Sequence, residues 1–311
     1  MSPTTIVTSG NTFIDIDGFA CVIAYTELLK LLGQNSIAVM SAKTNSSVPK
    51  QYRAWGEYEV DSSKLNQYSD KNYIVLDLSE PEFFDDCVED DKVIRILDHH
   101  PGFEEYWKAK IGDAAVIESI GAAATLVVRE YKEHGLLHKI SPQSAELLAA
   151  AILSNSLIFQ MKMTTQEDKD AYKELQKYFA YSDKFEEKYF AEVEKNIEED
   201  VAGSLMLDSK FININGIRVF IAQLELFSPE DLLSHSENAV RKYLAGIDAT
   251  NVFVNLAGLR DKRNIILFRD LESLQYLQKT FPEFVYDEKE LRAVTPHLML
   301  RKELLKGLLG R

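Results

Sequence analysis

Cysteine is scarce: Cys21 and Cys87 are the only two among 311 residues. That excludes a disulfide framework, and the pair lacks the spacing of a thiolate metal motif. Cys21 falls in an apolar helical stretch and reads as a buried free thiol. Long apolar runs are missing too. None reaches the roughly 20 residues a membrane-spanning helix requires, and Met1-Ser2-Pro3-Thr4 does not resemble the start of a secretory signal. Positive charge is the third shortage: 35 Lys and Arg stand against 49 Asp and Glu, a formal net charge of -14. Grooves for a nucleic-acid backbone rely on clustered Lys and Arg, so a nucleic-acid partner is not expected. A small polyanion held by metal ions and a few local cations remains compatible with that balance. These absences point to a cytoplasmic protein with neither membrane nor nucleic-acid partners.

What is present begins with strands. Thr5 to Ser9, Ser36 to Val39, Tyr73 to Leu78 and Val93 to Leu97 are short, β-branched or apolar runs, and Val116 to Ser119 is a weaker one. Between and after them lie helical stretches: Phe19 to Leu32, Gly121 to Tyr131, Ser141 to Ser154 and a long polar run, Gln166 to Phe190. Ser141-Pro142 opens one of these as an N-cap followed by a first-turn proline. Alternation of this kind predicts an α/β fold with a mainly parallel sheet covered by helices on both faces. Beyond residue 190 the pattern changes. Lys210 to Gln223 alternates around Asn215-Gly216, the signature of a hairpin turn, and helix Pro229 to Tyr243 and strands Asn251 to Leu256 and Asn264 to Phe268 follow. Two domains are expected, 1–190 and a smaller α/β domain, 191–311.

Three strand ends carry ligand-type side chains: Asp15-Ile16-Asp17, Asp77, and Asp98-His99-His100. In open α/β sheets ligands bind outside the carboxyl ends of the strands. Carboxylates with one or two imidazoles there suit hard divalent ions and a two-metal hydrolytic site. Each group also has a structural reading: Asp15 or Asp17 as a helix N-cap, Asp77 as a loop carboxylate, the histidines as hydrogen-bonded core residues.

The order Asp15-x-Asp17, Asp77, Asp98-His99-His100 resembles the DHH phosphoesterase superfamily, which is named for that tripeptide. Glu118-Ser119-Ile120-Gly121-Ala122-Ala123-Ala124-Thr125, Ala150 to Phe159 and Thr165-Gln166-Glu167-Asp168 resemble later motifs of manganese-dependent (family II) inorganic pyrophosphatases. Asp208-Ser209-Lys210-Phe211, Ile221-Ala222-Gln223 and Leu300-Arg301-Lys302 are similar to that family's carboxy-terminal, substrate-binding domain. The resemblance covers nearly the whole chain. It implies a phosphoanhydride hydrolase that releases orthophosphate from pyrophosphate or short polyphosphate by two-metal activation of water. It further implies Asp15, Asp17, Asp77 and His99 as metal ligands, with His100, Lys210, Arg301 and Lys302 on the substrate. The expected cofactor is Mn2+, with Co2+ or Mg2+ as substitutes, and the expected partner is a small phosphate compound, a homodimer being left open.

Two positions depart from the pyrophosphatase pattern. Asn11 stands where a metal-binding histidine is expected, and Asn155 where an aspartate is expected. Either amide could offer a metal ion only a neutral oxygen. Asn11 resembles the exopolyphosphatase branch, which makes exopolyphosphatase the second reading. A degenerate relative that binds phosphates without turnover is a third. A phosphodiesterase on short oligonucleotides is disfavoured by the acidic charge and by the missing glycine- and histidine-rich nuclease signature.

Overall fold

Runs of β-branched and apolar residues fold here as buried strands, because a parallel sheet is covered on both faces and needs no alternation. In the computed structural model, which describes residues 3–310, the chain divides into two units, Met1–Tyr189 and Phe190–Arg311. The first contains β1 (Thr4–Thr8), α1 (Ile16–Leu31), β2 (Ser36–Val39), α2 (Lys50–Arg53), β3 (Tyr58–Glu59), β4 (Lys71–Leu76) and β5 (Val93–Asp98). It continues with α3 (Glu104–Ile111), β6 (Ala115–Ile117), α4 (Ala123–Glu133), α5 (Pro142–Asn155) and α6 (Gln166–Leu175). The strands form one sheet in the order β3-β2-β1-β4-β5-β6, with every pairing parallel. Chain order reverses between β1 and β4, so the crevice that receives ligands in doubly wound sheets opens beyond their carboxyl ends. Asp15 and Asp77 follow those two strands.

Helix α1 is buried at 13 of its 16 positions, including Phe19, Val22 and Leu28. A helix that is apolar on all sides is a core element, and α1 anchors one face of the sheet. On a second cluster, Ile6, Val75, Ile96, Phe84 and Trp107 pack together. The Trp107 indole N–H donates to the Ser79 carbonyl at 2.6 Å and its ring stacks on Phe84. That fixes the loop leaving β4, which carries Asp77. Truncating a buried aromatic of this kind costs about 3–5 kcal/mol.

The second unit holds α8 (Val201–Leu207), β7 (Ser209–Ile214), β8 (Ile217–Leu226), α9 (Pro229–Ala245), β9 (Asn251–Gly258), β10 (Arg263–Phe268), α10 (Leu271–Thr280), β11 (Val285–Asp287), β12 (Arg292–Val294) and α11 (Arg301–Leu308). Its sheet runs β11-β12-β10-β9-β8-β7, and only β8 and β9 pair in parallel. Asn215 and Gly216, both at positive φ (52° and 82°), form the β7–β8 turn. This is the geometry that an Asn-Gly pair favours. The fold is thus the α/β arrangement that the pattern predicts.

One expectation needs correction. The run Gln166 to Phe190 is not one helix: α6 ends at Leu175, and a further helix, α7, spans Phe185–Glu199 and contains the boundary between the units. The cause is aromatic packing. Tyr172, Phe179, Tyr181 and Phe185 contact one another edge-on or tilted, which a straight helix could not arrange.

Candidate metal centre

Asp77 terminates β4 in the left-handed region (φ 61°), where aspartate is among the few tolerated residues. Its backbone N–H still bonds the Leu97 carbonyl of β5 at 2.8 Å, so the strand stays paired while the side chain turns into the crevice. Asp98, at the end of β5, is fully buried. Its Oδ1 accepts the N–H groups of His99 and His100 and contacts His100 Nδ1 at 2.9 Å. Asp98 therefore does not face the crevice; it holds the two histidines in place. His99 Nδ1 bonds the Ile120 carbonyl at 3.1 Å, which puts the proton on that nitrogen and leaves Nε2 as a bare lone pair in the neutral ring.

That Nε2 faces Asp77 Oδ1 across 3.4 Å and Asp17 Oδ2 across 3.8 Å. Both Nε2 and Asp77 Oδ1 are buried without a hydrogen bond among the described residues. Two facing acceptors are costly unless a proton or a metal cation lies between them. Asp77, His99 and His100 each bring a ligand atom within 4.8 Å of the others. On the other side of Asp77, a Cβ added to Gly18 would sit 3.1 Å from Ser9 Oγ, 3.5 Å from Asp77 Oδ2 and 3.6 Å from Asp15 Oδ1, so Asp77 Oδ2 and the capping oxygen of Asp15 both flank Gly18. A cavity of about 260 Å3 adjoins it, lined by Asp15, Asp77, His100, Gly10 and Phe83 among others. Carboxylate with imidazole suits Mn2+ and its neighbours, so the residues fit a divalent ion.

The remaining expected ligands are placed differently. Asp15 N-caps α1, accepting the Gly18 N–H at 2.9 Å. Asp17 is fully buried and caps α4, accepting from Ala123 and Ala124 N–H, each at 2.8 Å. Asn155, the last residue of α5, donates its amide to Asp17 at 2.6 Å. Asn11 is exposed and lies 3.4 Å from Asp86. Asn155 is held by an unusual turn: Leu157, Ile158 and Phe159 are all left-handed, although none is glycine. The Ser156 hydroxyl and carbonyl accept from Phe159, Gln160 and Met161 and keep the turn closed. Lys210, Arg301 and Lys302 lie in the second unit. Arg301 is bonded to the Asp208 carboxylate (2.6 Å) and carbonyl (2.7 Å), and Lys210 and Lys302 are exposed.

Two groups escaped the sequence reading. Ile120 contributes through its carbonyl, which no side-chain pattern reports. Asp168 is fully buried and accepts from Gly121 N–H, Thr125 hydroxyl, and Thr165 N–H and hydroxyl, which fixes the loop bearing Ile120. The Thr165-x-x-Asp168 spacing is a capping box, a signal that was legible.

Charge in the crevice is frustrated without a cation. Burial, then the charges of Asp17 and Asp15, push Asp77 well above the usual carboxylate range. Burial opposes a charged His99, yet its contact with Asp77 and the charge of Asp17 outweigh that and raise it to about 10. A raised histidine stabilises the fold fully below its ordinary 6.5 and ceases to as pH rises through about 10. Metal-free protein is therefore expected to lose stability across that window. A divalent ion must displace these protons, so its affinity is expected to rise with pH over the same range. Calorimetry in buffers of different ionisation enthalpy measures the release; binding without proton release would contradict it.

No protein-family model matches the chain. A curated "probable manganese-dependent inorganic pyrophosphatase" of an Exiguobacterium species is 30% identical over 247 residues, 74% of each chain. The protein of the same name from Shouchella clausii is 28% identical over 256 residues, 79% of this chain and 78% of its own. Among solved structures, a Methanococcus jannaschii protein assigned provisionally to family II inorganic pyrophosphatases superposes with a TM-score of 0.62 at 19% identity, covering 98% of both chains. An exopolyphosphatase-related protein from Bacteroides fragilis gives 0.53 at 14% identity, covering 99% of this chain and 92% of its own. At those identities the two structures speak for the fold.

Proposed function

The chain belongs to the family of manganese-dependent inorganic pyrophosphatases, and we propose that it hydrolyses a phosphoanhydride, pyrophosphate or a short polyphosphate, to orthophosphate. The observation that carries this reading is the pair of orphaned atoms, Asp77 Oδ1 and His99 Nε2, at the sheet's switch point. Divalent ions, Mn2+ foremost and two in the working state, would supply acidity to a water and polarise the phosphorus.

The residues divide that labour. Asp77 presents one oxygen towards His99 and the other towards Asp15, so it would bridge two ion positions. Asp98 holds His100 with its ring 60% exposed at the cavity edge, where it would meet the phosphate or leaving group. Lys210, Arg301 and Lys302 would neutralise phosphate oxygens as the leaving group departs. Asp208 pairs with Arg301 and keeps its guanidinium oriented.

The test is orthophosphate release from pyrophosphate, tripolyphosphate and long polyphosphate, each with Mn2+, Co2+ or Mg2+. Preferential release from pyrophosphate with Mn2+ is expected. A preference for long chains would move the protein to the exopolyphosphatase reading. No release from any substrate would sink the hydrolase and leave a phosphate-binding relative. Arg301→Ala is expected to lower kcat/KM by about 10-fold or more, the scale of about 1.4 kcal/mol of lost transition-state stabilisation, and to do so more through kcat than through KM.

A further inference from the structure

Three amides interrupt an apolar face of the second unit's sheet. Gln223 on β8, Asn255 on β9 and Asn264 on β10 are buried, the two asparagines completely, among Ile221, Phe253, Ile266 and Leu304 of that unit's core. Gln223 lies directly beside Asn255 in the β8–β9 register, and Asn264 is opposite Ala257, two residues further along the same face. Leucine or valine would suit such a face, and a buried amide is costly unless its hydrogen bonds are made. Here they are made, and they converge on the chain that leads into α11.

Asn264 Oδ1 accepts the Met299 N–H at 3.0 Å, and its Nδ2 donates to the Met299 carbonyl and to Asn255 Oδ1. Asn255 Nδ2 donates to the same carbonyl at 2.9 Å and to Gln223 Oε1 at 3.1 Å. Gln223 Oε1 also accepts the N–H of Arg301, the first residue of α11, a donor that no bond within the helix can satisfy. A backbone N–H only donates and a carbonyl only accepts, so Met299 and Arg301 fix which way all three amides point. Flipping any one of them would set two donors or two acceptors against each other.

Gln223 grips Arg301 from a second side. Its own N–H donates at 2.9 Å to the Asp208 carbonyl. Arg301 Nη1 bonds that same oxygen at 2.7 Å, and Asp208 Oδ1 takes the same nitrogen at 2.6 Å. Nη1 is thereby occupied, while Nε and Nη2 make no hydrogen bond among the described residues. Those two nitrogens form one edge of the guanidinium, the kind of edge that binds two oxygens of one oxyanion in parallel.

We infer that Gln223, locked by Asn255 and Asn264, is a positioning residue that presets this free edge of Arg301 for a phosphate group. This deepens the proposed function and rests on its reading of Arg301 as a substrate group. A free arginine side chain loses rotamer freedom when it binds. One held at both its backbone and its guanidinium brings two donors already aimed, and preorganised donors act most strongly where charge develops in the transition state.

The experiment is a double-mutant cycle on the full-length protein with Mn2+ and pyrophosphate. Gln223→Met keeps the length of the side chain and removes the acceptor. It is expected to lower kcat/KM by about 10-fold, mainly through kcat, as Arg301→Ala does. The pair Gln223→Met/Arg301→Ala should be no worse than Arg301→Ala alone, because a group that acts through Arg301 then has nothing left to position. Asn255→Leu/Asn264→Leu suits the apolar face and should lose activity in the same way. Nuclear magnetic resonance reads the position without turnover. The Arg301 Nε–H signal, assigned by its disappearance in Arg301→Ala, should be well resolved in wild type and move to the solvent-averaged position in Gln223→Met and in Asn255→Leu/Asn264→Leu. Wild-type kcat in folded Gln223→Met beside a defective Arg301→Ala would overturn the inference and leave the hydrolase intact. So would losses that multiply in the pair, the mark of a network that serves the fold alone, an unmoved Nε–H signal, or an Arg301→Ala protein as active as wild type. No phosphate release from wild type, with the signal moving as expected, does the reverse: the positioning stands and the hydrolase falls.

Discussion

Asp77→Asn is expected to lower phosphate release by more than about 100-fold, the most that losing an outer partner of a ligand costs, and to stabilise the metal-free protein once His99 has lost its charge. Both follow from one carboxylate. Asp77 presents Oδ1 to His99 and Oδ2 towards Asp15, so its loss removes the group shared by both ion positions. Asparagine is the informative replacement because it tolerates the left-handed backbone at this position (φ 61°) and keeps the Leu97 bond. Without metal the ionised Asp77 is a liability. Burial and the charges of Asp17 and Asp15 raise its pKa well above the usual range. A carboxyl group raised in the fold stabilises it below the unfolded pKa, near 3.8, and loses that contribution as pH rises through the folded value. A charged His99 offsets that loss up to about pH 10; once that imidazole is neutral, the asparagine variant escapes the loss and should melt higher. Adding Mn2+ should raise the melting point of the wild type and scarcely move the variant's. A variant that Mn2+ stabilises as much as wild type would show that Asp77 is not the bridging group.

The parts of this molecule that could be read from sequence are those in which a residue's own chemistry dictates its place. β-branched runs buried on both faces gave the parallel sheet, and the Asn-Gly pair gave the β7–β8 turn. Asp77, directly after β4, and Asp15, at the end of the loop from β1 to α1, had to lie at the crevice, because strand ends are where a parallel sheet is open. The rest depended on what the fold set opposite each residue. Nothing in Asp17 itself says that the amino terminus of α4 would claim its oxygens, since α4 lies over a hundred residues further along the chain. The Asn155 amide finds its partner in Asp17, far away in the sequence, and the turn that follows has three left-handed residues, Leu157 to Phe159, which propensity would assign to almost any other conformation. The break between α6 and α7 was hidden for a related reason. Its polar periodicity is helical throughout, and only the meeting of Tyr172, Phe179, Tyr181 and Phe185 bends the chain away.

Asp168→Ala is expected to destabilise the protein by about 4 kcal/mol, the scale of removing one partner from a buried charged network, and to weaken Mn2+ binding although Asp168 contacts no ligand. Its carboxylate is fully buried and satisfies four donors: Gly121 N–H at 3.0 Å, the Thr125 hydroxyl at 2.6 Å, and Thr165 N–H and hydroxyl at 2.7 and 2.8 Å. Alanine leaves all four in a pocket too confined for each to recover a partner, and a buried orphan costs about 1–3 kcal/mol. The fit is close on both sides. A Cβ at Gly121 would come within 2.8 Å of Asp168 Oδ2, so only glycine lets the loop reach the carboxylate. What this clamp holds is Ile120, whose carbonyl bonds His99 Nδ1 at 3.1 Å and leaves Nε2 facing Asp77. Release of the loop frees the imidazole to rotate or change tautomer, and outer partners of that kind govern metal affinity by about 10- to 100-fold. Urea unfolding gives the first quantity and Mn2+ calorimetry, on protein still folded at low temperature, gives the second. Asp168→Asn separates them: its carbonyl oxygen keeps part of the clamp, so it should fall between wild type and alanine in both. Full Mn2+ affinity in a destabilised Asp168→Ala would mean that the clamp serves the fold alone and that His99 is positioned without it.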